Sequence, residues 1–293
     1  MGPAQARRLK SDNEYGVCMN TDAWLMAHEP QLRLAVFLVV FATLLGLQQL
    51  WPRREVGGGW RRRATNIALV IVDTAILRVA IPLLAFDLAI RLQQDSVGLL
   101  QGLPKVPGIL LGVLLLDVSI YWQHRLFHAI PLLWRLHRVH HADTSFDTTT
   151  GVRFHPLEIV LSMGIKLGII ALFGIAPIAV LVFEIALSAG SLFTHTNLYL
   201  PAAFERRLRW FLVTPEMHRI HHSWHKDETD SNFSFHLSLW DRVFRSYRDV
   251  PRDGQTRMVI GLKDFRDPRE QSLMALLLNP FRASRQAAEN ERA

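Results

Sequence analysis

The stretch VPGILLGVLLLDVSIYWQHRLFHAIPLLWRLHRVHH, residues 106–141, runs from an apolar segment straight into histidines. Val106 to Trp122 comes close to the roughly 20 apolar residues that a helix needs to cross a bilayer core. Just beyond it His124 and His128 stand four apart, so on a helix both imidazoles share one face. His137, His140 and His141 follow at i, i+3 and i+4. The unit read here is a membrane helix that delivers metal-chelating side chains at its own end.

Working outward, Leu32 to Trp51 and Asn66 to Ala89 are two earlier spanning candidates. The apolar stretch 157–193, broken near Gly174 to Pro177, suits a tight hairpin of two spans. With 49% hydrophobic residues in a chain of 293 and a mean hydropathy of +0.14, a membrane protein is expected. The expected fold is an all-α integral membrane protein of four to five transmembrane helices plus a cytosolic helical cap carrying a histidine-rich di-metal site. Residues 1–105 would supply the N-terminal tail and first two spans, 106–250 the histidine-bearing region, and 251–293 a C-terminal cytosolic tail, integrated as one domain. Met1 to Gln31 lacks the short apolar core of a removable signal, so the first span is expected to be retained.

Charge orients this arrangement. Arg53, Arg54, Arg61, Arg62 and Arg63 crowd the segment after the first span against Glu55 alone, which assigns it to the cytoplasm. Alternating crossings then bring 123–156 and 194–293 to the same side. The formal charge of +7 forms no alternating basic and aromatic surface, so no nucleic-acid partner is expected. Asp73, Arg78 and Asp87 interrupt the second span, and charges at that depth call for pairing or a functional cavity. Phe204, Leu208, Trp210 and Phe211 interleave with Arg206, Arg207 and Arg209, as in a helix lying in the interface or packed on its own domain.

Twelve of the thirteen histidines lie between His124 and His236. A third cluster, His218, His221 and His222 in HRIHH, repeats the HRVHH pattern, so each triplet can point inward together. A lone Cys18 excludes a disulfide framework or a cysteine-ligated cluster within the chain. Eight neutral imidazoles exceed the four ligands of one tetrahedral zinc, and two metals fit the count. Imidazole alone does not choose between iron, zinc, copper and nickel. Asp117 shares a helical face with His124 but lies about 10 Å along the axis, so it should pair elsewhere. Ligating imidazoles need their second nitrogen anchored, and Asp143, Asp227, Asp230 and Asn232 are near enough in sequence to do it, or to bind metal themselves.

HRLFH, HRVHH and HRIHH, with the flanking VTPEMHRIHHSW and the later ETDSNFSFHLSLWDRVF, together resemble the fatty acid hydroxylase and sterol desaturase superfamily over about Leu111 to Tyr247. RDPREQSLMALLLNPF, at 266–281, also resembles its bacterial members, which implies a bacterial inner membrane with the site on the cytoplasmic side. The resemblance implies a di-iron centre that reduces O2 and attacks an unactivated C–H bond of a lipid such as a fatty acyl chain, a sterol-like lipid or an alkyl glycerol ether. It makes His124, His128, His137, His140, His141, His218, His221 and His222 the ligands. His195, in FTHTN, would complete one iron, because similar proteins also place a histidine there. His155, in FHPLE, is a candidate ligand, second-sphere donor or helix cap, and His225 and His236 are expected to be ordinary hydrogen-bonding residues.

Each turnover would need two external electrons. The chain has no glycine-rich dinucleotide fingerprint, so a separate cytochrome b5-, ferredoxin- or rubredoxin-like carrier or a reductase is implied, with Arg135, Arg138, Arg206 and Arg209 as candidate docking charges. Two rival readings remain. A membrane zinc or nickel carrier or sensor would be expected to show a polar path through its spans. A bis-histidine haem protein would need far fewer histidines, placed within facing spans.

Overall fold

The computed structural model describes residues 23–55, 57–81 and 84–284. Cys18 lies outside the described residues. Among those described, helices dominate and only isolated β-bridges occur. Helix α1 covers Glu29–Leu50, α2 Gly59–Ala80, α3 Ala85–Gln94, α4 Lys105–Ala129, α5 Pro131–His141, α6 Pro156–Phe173 and α7 Pro177–Thr194. Five stretches are long and apolar enough to cross a membrane: α1, Gly59–Gln94, α4, α6 and α7. Exposed Leu38, Val39, Ile71, Val79 and Leu110 on these helices suit hydrocarbon rather than water.

Two boundaries differ from the sequence reading. The segment Asn66 to Ala89 is divided between α2 and α3, because the α2 pattern ends at Ala80 ahead of Pro82, which cannot continue the helical hydrogen bonding. Helix α4 does not stop at Trp122 but runs to Ala129, so His124 and His128 ride on the spanning helix itself. The hairpin forms as expected. Gly174 closes α6 with φ +61, and a Cβ there would meet Val97 O at 2.3 Å, so only glycine fits both the left-handed turn and the close approach.

Buried Leu84, Ala89, Leu116, Ile170, Ala179 and Phe183 join α3, α4, α6 and α7 into the main core. Helix α1 packs on α7, and α2 on α6. The C-terminal end of α4, the N-terminal end of α6 and the C-terminal end of α7 converge, and short helices α8 (Ala202–Leu208), α9 (Pro215–His221) and α10 (Lys226–Thr229) cover that end. Residues 251–284 join the cap: Ser223 bridges to Ile260, and Leu276 packs with Leu69 and Val139.

Candidate metal centre

Nine histidines meet where α4, α5, α7 and α9 converge, and they divide into two groups. One contains His124, His128, His137, His141 and His221; the other contains His140, His195, His218 and His222, each group with ligand atoms within 4.8 Å of one another. The division follows from helical periodicity. In HRVHH, i and i+4 lie 40° apart and serve the first group, while i+3, turned 100° from i+4, serves the second. In HRIHH the assignment is reversed, His218 and His222 serving the second group and His221 the first. Each triplet therefore straddles two sites rather than facing one.

Hydrogen bonds set the tautomers. A carbonyl oxygen only accepts, so an Nδ1 bonded to one must carry the proton. His124 Nδ1 donates to Phe233 O at 2.7 Å, His140 to Arg153 O at 3.0 Å, His195 to Ser191 O at 2.7 Å and His221 to Ser231 O at 2.7 Å. His137 Nδ1 lies 2.6 Å from Glu158 Oε1. In the four rings bonded to carbonyls Nε2 is therefore left bare. In the first group, all five Nε2 atoms are buried without a hydrogen-bond partner. In the second, His195 Nε2 lies 3.0 Å from His140 Nε2, 3.0 Å from His218 Nε2 and 3.2 Å from His222 Nε2.

In the His140–His195 pair, where both Nδ1–H groups are committed to carbonyls, lone pairs at that separation repel unless a cation lies between them, and nitrogens held about 2.1 Å from one ion at right angles would be about 3.0 Å apart. The donor sets fit two metal ions. Burial pushes the imidazoles toward the neutral form that metals require: His137 falls to about 3. Burial takes His195 down to about 4 against the opposing hydrogen bond to Ser191. His140, His141, His218, His221 and His222 lie well below the usual histidine value, again chiefly through burial.

The carboxylates expected around the ligands mostly serve elsewhere. Asp143 takes a bidentate Arg62 pair at 2.5 and 2.8 Å. Asp227 is exposed and binds Arg248 and Arg252 at 2.6 and 2.7 Å. Asp230 reaches His128 Nδ1 only at 3.4 Å and pairs with Lys226. Asn232 touches no histidine, but it adopts φ +51 and its Nδ2 holds Met217 O and Arg248 O. That turn aims the carbonyls on either side, Ser231 and Phe233, at His221 and His124. Backbone carbonyls win because a tight turn places two of them at fixed spacing without ordering a side chain.

His155 joins neither group: it caps α6, accepting from Leu157 N, and its Nε2 lies 3.1 Å from Leu277 O. His225 pairs with Asp253. His236 and Trp240 both bond Asp117, at 2.5 and 2.7 Å, so that intramembrane acid is indeed paired away from His124. Arg138 and Arg209, offered as docking charges, are buried, bonded respectively to Asn279 and to Glu205 and Asp249. Sequence reading missed Glu158 as the His137 acceptor. Its signal was an acid in the first turn of an apolar helix, next to FHPLE.

Residues 109–246 match the fatty acid hydroxylase family. This region belongs to that family. Among curated proteins, an ornithine lipid hydroxylase of Rhizobium tropici is 31% identical over 180 residues, covering 61% of this chain and 51% of the relative. Human alkylglycerol monooxygenase is 30% identical over 134 residues, 45% of this chain and 28% of that protein. Rat cholesterol 25-hydroxylase is 25% identical over 171 residues, 57% and 55% respectively. The chain thus spans about half the length or less of these relatives. No solved structure matches it significantly.

Proposed function

We propose that this membrane protein is a non-haem di-iron oxygenase that hydroxylates a C–H bond of a lipid, in the balance R–H + O2 + 2 e⁻ + 2 H⁺ → R–OH + H2O. The observation that carries the reading is the pair of buried histidine groups, each with its ligand nitrogens within 4.8 Å of one another. Bound there, iron supplies the redox change that zinc lacks and the activation of O2. The chain's own residues orient five of the nine rings, His137 through Glu158 and His124, His140, His195 and His221 through backbone carbonyls, which preorganises both sites.

A cavity of about 350 Å³ adjoins His124 and His137 and extends between the spans past Phe37, Val70 and Leu77. In the proposed reaction it receives the lipid from the bilayer, and its apolar wall keeps water from the reacting carbon. The names of the relatives favour hydroxylation over desaturation, and they leave fatty acyl, sterol-like and alkyl glycerol ether substrates as the classes to try. Electrons come from a separate reductase or a cytochrome b5-, ferredoxin- or rubredoxin-like carrier. The arginine-rich segment 53–63 lies at the histidine end, since Arg53 N bonds Asn197 O; this supports a cytoplasmic site in a bacterial inner membrane.

The test is elemental analysis and Mössbauer spectroscopy of the full chain in mild detergent, from cells supplied with iron-57. Near two coupled irons per chain, with reductant- and O2-dependent hydroxylation of an added lipid, is the expected result. Zinc alone, persisting after anaerobic iron reconstitution, would overturn the proposal.

A further inference from the structure

The cavity beside His124 and His137 is not the plain hydrocarbon slot that an acyl tail would require. Asp73 of α2, Gln123 of α4 and Glu158 of α6 all line it, and each carries a buried oxygen without a partner among the described residues: Asp73 Oδ1, Gln123 Oε1 and Glu158 Oε2. Asp73 and Glu158 are only 4% and 3% exposed. Gln123 has its donor occupied, Nε2 giving to Ser162 Oγ at 2.9 Å, and Glu158 has its other oxygen on His137. Three helices thus bring three unpartnered oxygens to the wall nearest the histidines.

The cations further along the cavity do not answer them. Arg33 binds Glu29 and Glu184 at 2.6 and 2.8 Å, and Lys166 binds Glu184 at 2.7 Å. That cluster is balanced within itself. Lys166 lies eight residues beyond Glu158 on α6, about 12 Å along the axis, too far to pair with the acids at the histidine end. A buried acid without a donor, inside a span, is expensive and marks a functional site by default.

We infer that the substrate of the oxygenase proposed above carries a hydrogen-bond-donating headgroup, a hydroxyl or an amine, which Asp73, Gln123 and Glu158 receive. The carbons flanking that group then lie against His124 and His137, while the apolar chain takes the Phe37, Val70 and Leu77 side. A hydrocarbon tail or capped headgroup leaves the same oxygens unpaired, and sites built for a donor reject analogues that lack it. The inference rests on the oxygenase reading for what happens next, but not for binding.

Binding is therefore measured by native mass spectrometry on the full chain in detergent, metal-free and iron-loaded. The probes are 1-O-hexadecylglycerol and sphingosine, each against its O- or N-methylated form lacking donors. Wild type is expected to prefer each donor-bearing lipid by about tenfold or more. Asp73→Leu should bring that preference to about twofold or less, whereas Asp73→Asn, which still offers a carbonyl oxygen, should keep it for the glycerol ether. Equal binding of capped and uncapped lipids by wild type would overturn the inference. So would an unchanged preference in Asp73→Leu, or a loss of metal in that variant with both lipids affected alike, which would make Asp73 a counter-charge to the metals. Donor selectivity without oxidation would instead remove the oxygenase reading and leave this one standing.

Discussion

His140 and His195 face each other Nε2 to Nε2 at 3.0 Å although each has its Nδ1–H committed to a carbonyl, of Arg153 and Ser191. Two bare lone pairs in a buried site repel, so the pair is arranged for a cation between them. His140 and His221 sit in different groups. His140→Ala and His221→Ala are each expected to lower bound metal from about two toward one per chain and to abolish lipid oxidation, while His28→Ala, on an exposed ring stacked on Trp24, changes neither. Elemental analysis of the three proteins decides this.

Glu158 Oε1 lies 2.6 Å from His137 Nδ1. Replacing it by Gln keeps an acceptor but removes the carboxyl, and loss of such an outer partner commonly weakens metal binding about 10–100-fold. Chelator competition on the loaded protein should show that loss with the helical content unchanged.

Arg62 ties α2 to the loop after α5 through Asp143, Asp147 and Thr150. Arg62→Gln removes the bidentate partner of buried Asp143 and leaves Asp147 with Arg63 alone, and should cost about 3–5 kcal/mol, read as a lower unfolding temperature in detergent. The pH dependence has a definite sign. Burial would raise the Asp143 carboxyl, but Arg62, with Arg153, holds it at about 2, and Asp147 is likewise held below its ordinary value against its burial. Depressed folded values mean the stabilisation is complete above about pH 4 and is lost as the pH falls toward 2. Arg62→Gln should move acid unfolding to higher pH, followed by tryptophan fluorescence.

Gly190 of α7 faces the His236 ring, and a Cβ there would lie 2.6 Å from Cδ2. Gly190→Ala must displace His236 from Asp117, at a cost of about 1–3 kcal/mol from overpacking. Thermal unfolding of Gly190→Ala against Gly164→Ala, where a Cβ meets nothing within 4 Å, separates the clash from the general effect of adding a methyl in a helix.

The helical hairpin and the α1 span were legible because apolar length and glycine or proline breaks are local properties. The apolar span was read to Trp122, with His124 and His128 on a helix just beyond it, and the structure joins the two as one helix to Ala129. The anchoring shell was misread: Asp143, Asp227 and Asn232 are close in sequence to the histidines, but sequence proximity does not say which way a turn points. Glu158 lies 21 residues from His137 and could be placed beside it only by the packing of α6 against α5.

The sequence by itself determined the membrane-spanning helices and the eight clustered histidines with their spacing, because hydropathy and helical periodicity act over a few turns, whereas His195 entered only through the family resemblance. Tertiary structure alone decided how those histidines divide five and four, which oxygens hold their rings, and that Asp73 opens onto a cavity rather than finding an ion pair. These depend on where separate helices cross, and that is set by the packing of side chains far apart in the chain.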